Sequence, residues 1–193
     1  MADTTLLNYL SQKTHLNPTD LENISQNYQI KTYSKGDYLL QKGTHCQYVY
    51  FVEKGLLRQY TTDEKGKEHT LYFAPETWWI ADRESMYFNQ PSSYDIQALE
   101  DTQVAVLTYD FIKGFEESSE SFFQFNHTQL HRHIQVLEQR ITMLLSATAE
   151  ERYLHFIKTY PDVLLRVPQT MVASYLGITP ESLSRVRKEL MSK

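Results

Sequence analysis

Hydrophobic and polar positions divide the chain into three stretches of different period. Residues 4–26 read as helical. Thr5-Leu6-Leu7-Asn8-Tyr9-Leu10 opens one short helix, and Asn17 and Pro18 stand as N-cap and first position of a second. From Tyr28 to Asp110 short β-prone runs alternate with glycine turns: Tyr28 to Tyr33, Tyr38 to Leu40, Tyr48 to Val52, Leu56 to Thr61, His69 to Phe73, Tyr94 to Leu99 and Gln103 to Thr108. The Asp63-Glu64-Lys65-Gly66-Lys67 segment is a hairpin tip. Many short strands with closely spaced turns predict an antiparallel sandwich or barrel, here a jelly roll.

From Tyr109 the period turns helical. Leu130, Ile134, Leu137, Ile141 and Leu144 recur at spacings of four, three, four and three, the a/d seam of a coiled coil. An amphipathic helix packed on its own sheet would show the same stripe. The polar residues on the other faces (His131, Arg132, Gln135, Glu138, Gln139, Arg140) favour a second copy as the partner, hence a homodimer. A further helix runs from Glu150 to Tyr160 and stops at Pro161.

The last thirty or so residues carry the most specific pattern. Thr170 to Leu176 reads as a helix with Met171, Val172 and Leu176 inward. Ala173 is small enough for a close helix crossing, and Gly177 stands where a left-handed residue ends a helix. Thr179 and Pro180 open the next helix, with Leu183, Val186 and Leu190 inward. Its other face presents Glu181, Ser182, Arg185 and Lys188. An Arg pairs two ways with a guanine edge, a Glu accepts from a cytosine amino group, and Lys or Ser holds phosphate. The pattern predicts a helix-turn-helix whose second helix enters the major groove of double-stranded DNA.

Composition narrows the classes. The net charge of −5 is uneven: residues 162–193 carry five basic and three acidic residues, or +2, leaving −7 on residues 1–161. No apolar run approaches a membrane span, and Met1-Ala-Asp-Thr-Thr has no signal-peptide pattern, so a cytoplasmic protein without membrane contact is expected. The single cysteine, Cys46, excludes an internal disulfide and a cysteine-ligated iron–sulfur cluster, and reads as a buried filler. Phosphate loops, nucleophile elbows, HExxH and the His/Glu ligands of cupin enzymes are missing, so no enzyme is expected. Among seven histidines, His127 and His131 lie one helical turn apart. Such pairs are more often wet polar positions, and neither a metal nor a cofactor is expected.

The segment Ala173-Ser-Tyr-Leu-Gly-Ile-Thr-Pro-Glu-Ser-Leu-Ser-Arg-Val-Arg-Lys188 resembles the helix-turn-helix of the cyclic-AMP receptor protein/FNR (Crp/Fnr) regulators. The motifs Lys35-Gly36-Asp37, Lys42-Gly43 and Phe51-Val52-Glu53-Lys54-Gly55 resemble that family's cyclic-nucleotide-binding roll, and the likeness runs over nearly the whole chain. It implies an α+β chain with an N-terminal antiparallel β jelly-roll sensor domain (1–115), a long dimerisation helix (116–147) and a C-terminal helix-turn-helix domain (148–193). It also implies DNA, a second copy, RNA polymerase and a small-molecule effector of unknown identity as partners. By resemblance Glu181, Ser182 and Arg185 fall on base-reading positions, and Thr170 and Thr179 where backbone phosphates are held.

Two departures stand out. The family's ligand cassette has a Gly-Glu pair and then an Arg-Ser or Arg-Thr pair, where this chain reads Ala81-Asp82 and Ser92-Ser93. Without that Arg a cyclic phosphate is left unpaired, so cyclic nucleotides are expected to bind weakly or not at all. The pocket then holds another molecule or is filled by Trp78, Trp79, Tyr87 and Phe88. The second departure is a truncated wing, confined to Val163-Leu164-Leu165-Arg166-Val167. The rival to a DNA-binding regulator is a ligand sensor that acts through protein partners with a degenerate DNA-binding domain.

Overall fold

A computed structural model describes residues 5–192; the start read for a signal peptide, Met1 to Thr4, and the charge of Lys193 lie outside the described residues. The chain forms two compact units. One holds the residues up to Gln59 together with Phe73–His131, and the other holds Tyr60–Tyr72 and Arg132–Lys193.

The first unit opens with α1 (Thr5–Lys13) and α2 (Pro18–Asn27). Asn17 caps α2 by accepting from Asp20 N at 2.8 Å, with Pro18 at the first position. The Glu53 carboxylate accepts from Thr5 N (2.7 Å) and Leu6 N (3.0 Å), which places an anion at the positive end of α1. Eight strands follow: β1 (Gln29–Tyr33), β2 (Tyr38–Leu40), β3 (Tyr48–Lys54), β4 (Leu57–Thr62), β5 (Glu68–Ala74), β6 (Trp79–Ile80), β7 (Asp95–Ala98) and β8 (Thr102–Thr108). They form two four-stranded sheets, ordered β1-β8-β3-β6 and β2-β7-β4-β5. The paired strands run antiparallel, in the manner of a jelly roll. The expected α+β fold with an N-terminal β jelly roll is what the chain adopts.

The centre of the first sheet is apolar on both faces, because β3 and β8 are covered twice. Phe51, Ala105 and Leu107 pack against Leu6, Leu10 and Ile24 of the first two helices, while Tyr50, Val52, Val104 and Val106 are buried on the other face. Gly55 closes the β3–β4 turn at φ +103°, where a Cβ would come within 2.5 Å of Thr102 Oγ1; only glycine fits. Between β6 and β7 lies α3 (Arg83–Phe88).

After β8 come α4 (Tyr109–Ser118) and α5 (Glu120–Ser146). They are separated at Ser119, whose hydroxyl donates to the buried Asp20 carboxylate (2.8 Å) and accepts from Phe122 N (3.2 Å). Ser121 also donates to Asp20. At 27 residues α5 is about 40 Å long.

The second unit contains the C-terminal part of α5, then α6 (Ala149–Thr159), α7 (Val163–Arg166), α8 (Gln169–Leu176) and α9 (Pro180–Met191). Thr148 and Glu151 form a reciprocal capping box at the start of α6, which holds the Glu151 carboxyl below its usual range. Tyr153, Phe156, Tyr160, Val172, Leu176, Leu183 and Val186 make this unit's core. The segment open to a wing forms the turn α7 instead: Val163 and Val167, one turn apart, are buried, and Leu165 is exposed.

Candidate nucleic-acid interface and ligand pocket

The turn between α8 and α9 follows from three residues. Gly177 ends α8 in the left-handed region at φ +66°. Gly177 N donates to Ser174 O at 3.1 Å and Ile178 N to Ala173 O at 3.0 Å, so the last carbonyls of α8 are satisfied. Thr179 Oγ1 then accepts from Ser182 N at 3.2 Å and starts α9. Val172, Ala173 and Leu176 of α8 are buried, as are Leu183 and Val186 of α9, while Leu190 is half-buried.

With that stripe inward, Glu181, Arg185 and Lys188 are exposed along the other side of α9, and Ser182 is half-exposed. Thr170 is exposed at the start of α8 and Thr179 at the start of α9. Hydrogen bonds from its own backbone N–H and from Thr179 hold the Glu181 carboxyl below its ordinary range. At neutral pH this face therefore presents an ionised acceptor, a guanidinium, an ammonium and three hydroxyls on one exposed helix face and its entry.

The pocket positions take up one another. Asp82 is 3% exposed and caps α3: one carboxylate oxygen accepts from Ser85 N (3.2 Å) and the other from the buried Ser92 hydroxyl (2.6 Å). Ser85 Oγ in turn accepts from Cys46 N (2.9 Å) and donates to Gln90 O (2.6 Å). Ala81 is half-buried, while Ser93 lies exposed. Cys46 is buried, and desolvation raises its thiol above the ordinary value, in keeping with a filler. The expectation that Tyr87 and Phe88 fill the cavity is corrected. They are 75% and 70% exposed, on the outer side of α3, whose buried side is Ser85 and Met86.

The predicted seam residues Leu130, Ile134, Leu137, Ile141 and Leu144 share one face of α5, and all five are exposed, from 37% to 56%.

The family model for the cyclic nucleotide-binding domain matches residues 30–118. The fumarate and nitrate reduction regulatory protein of Vibrio cholerae is 23% identical, over 89% of this chain and 72% of its own. The cAMP-activated global transcriptional regulator CRP of Salmonella typhimurium is 21% identical, over 92% and 89%. Among solved structures, FixK2 from Bradyrhizobium japonicum superimposes with a TM-score of 0.75 at 18% identity, over 86% of this chain and 85% of that one. Residues 30–118 thus match a cyclic nucleotide-binding domain, and over most of its length the chain is similar to transcription regulators of the FNR and CRP kind.

Two arginines escape sequence reasoning. Arg140 alternates with polar neighbours on α5 and reads as a wet position. It instead donates to Leu71 O (2.6 Å), Thr70 O (3.1 Å) and Tyr175 O (3.0 Å). Ser174 accepts from Thr70 N (2.9 Å) and donates to Glu68 O (3.0 Å), so β5, α5 and α8 are tied together within the second unit. Arg58, on β4, is 4% exposed and donates through Nε (3.1 Å) and Nη2 (2.7 Å) to Gln97 Oε1. A buried cation in a strand gives no periodic signal. No helix among the described residues is long and apolar enough to cross a membrane.

Proposed function

We propose that this chain is a sequence-specific DNA-binding transcription regulator that works as a homodimer on inverted-repeat sites. The observation that carries the reading is the exposed α9 face. Glu181, Arg185 and Lys188 line up opposite a buried stripe, on a helix entered through a glycine turn and a threonine cap. Arg185 reads a guanine edge, Glu181 a cytosine amino group, and Ser182, Lys188, Thr170 and Thr179 hold the backbone. The five exposed seam residues on α5 supply the dimer contact, since a contiguous apolar stripe on a largely polar helix calls for a partner helix. The chemistry is recognition and not catalysis.

Control by cyclic AMP or cyclic GMP is not part of this reading. The phosphate-binding Arg is replaced by Ser92, which is already engaged with Asp82. An effector, if one acts, is of other chemistry and shifts the population of DNA-competent dimers.

Sedimentation of the protein and of a Leu137→Glu variant tests the arrangement. The parent sediments as a dimer and binds its site; the variant sediments as a monomer and loses the site. A variant that remains dimeric with unchanged DNA affinity contradicts the seam.

A further inference from the structure

The seam of α5 extends beyond Leu130. Phe123 and His127 precede it at spacings of four and three, so the stripe runs Phe123, His127, Leu130, Ile134, Leu137, Ile141, Leu144. Phe123 is 42% exposed and shares the apolar character of the stripe. His127, also exposed, is the one polar member. A polar residue in a coiled-coil seam costs stability, which a specific interaction between the two chains can offset.

His131 lies one turn further on, flanking the seam. The Nε2 atoms of His127 and His131 are 3.3 Å apart, with ring centroids at 4.5 Å and planes at 68°. Two nitrogens on one tetrahedral ion, with metal–nitrogen bonds of about 2.0–2.1 Å, stand about 3.3–3.4 Å apart. The ring of Phe123 lies nearly parallel to that of His127 (centroids 5.8 Å, planes 21°) and restrains its orientation. Among the described residues one chain brings no group of three or more His, Cys, Asp or Glu together for a metal, so the pair is half a coordination sphere.

We propose that His127 and His131 are half of a transition-metal site that a second copy completes, with one Zn²⁺-class ion held by four imidazoles on the dimer axis. This rests on the homodimer reading. Two parallel helices related by a two-fold axis set each seam residue against its own counterpart, so His127 faces His127 of the second copy and the flanking His131 residues close the sphere. Four imidazoles suit Zn²⁺, Ni²⁺ or Cu²⁺ and disfavour Mg²⁺ or Ca²⁺, which take oxygen ligands. The ion would pin the N-terminal part of the seam and offset the stability lost at His127.

The test uses the full chain without a polyhistidine tag, stripped with a chelator. Co²⁺ is titrated while the visible absorption of tetrahedral cobalt is followed, Zn²⁺ is then added as competitor, and sedimentation is run with and without metal. The expected result is one ion per two chains. His127→Gln and His131→Gln each weaken it by about tenfold or more, since outer-sphere partners alone contribute that much, and His155→Gln leaves it unchanged. A dimer that takes up no ion, or takes it up equally in the His127 and His131 variants, overturns the metal site and leaves the dimer standing. One ion per chain overturns the shared sphere. A monomer with and without metal overturns the dimer reading and this site with it.

Discussion

The guanidinium of Arg140 sits 3.8 Å above the centre of the Tyr175 ring and also donates to the Tyr175 carbonyl at 3.0 Å. That carbonyl belongs to the last turn of α8, where no intrahelical donor remains. The same guanidinium takes Thr70 O and Leu71 O, so a single side chain joins α5, α8 and β5.

Replacing Arg140 by Ala leaves those carbonyls without their charged donor. The expected loss is on the order of 2 kcal/mol, read as a lower denaturation midpoint. Arg140→Lys keeps the charge but neither the planar fork nor the stacking, and recovers less than half. An unchanged midpoint in Arg140→Ala would show that the three contacts contribute nothing net.

Gly177 and Gly114 provide opposite outcomes for the same substitution. At φ +66°, and with a Cβ placed 3.2 Å from Leu144 Cδ2, Gly177→Ala destabilises by about 1–2 kcal/mol. Gly114→Ala, in the open on α4 with an ordinary φ, stabilises by about 0.5–1 kcal/mol. Urea titration of both variants checks the pair; equal effects would contradict the assigned turn geometry.

Arg185→Ala is expected to relax sequence preference by about 1–3 kcal/mol at one base pair of each half-site. Lys188→Ala weakens binding across all sequences and lowers the salt dependence. Competition binding with single-base variants of the selected site separates the two effects. If Arg185→Ala binds with undiminished preference, α9 does not read bases through this residue.

Calorimetric titration with cyclic AMP or cyclic GMP is expected to show no low-micromolar binding. A cyclic phosphate entering the Asp82–Ser92 region would meet a buried carboxylate and hydroxyls where the charge calls for a guanidinium, at a cost of several kcal/mol. A low-micromolar dissociation constant would contradict this.

The strands from β1 to β5, β7 and β8, the cap of α2 and the whole α8–Gly177–α9 turn were legible because local chemistry and tertiary demand agree there. Elements outside that agreement were not. Strand β6 is two residues long and carries no period. Helix α3 is short and set by the Asp82 cap and the left-handed Asn89. The break at Ser119 depends on Asp20, a residue ninety-nine positions away. Val163 to Val167 is the segment open to a wing, but the i,i+4 burial of Val163 and Val167 makes a helical turn. The α9 face was legible as a pattern, whereas the embrace of Asp82 by Ser92 and the triple role of Arg140 depend on segments brought together only by folding.

The most direct measurement is a selection of genomic DNA fragments by the purified, ligand-free protein, followed by sequencing of what is retained. The expected result is enrichment of an inverted repeat whose half-sites are about 34 Å apart, one helical turn, bound by two chains. Retention of fragments with no shared sequence, or of none, would contradict a regulator that reads DNA through α9 without a cyclic nucleotide.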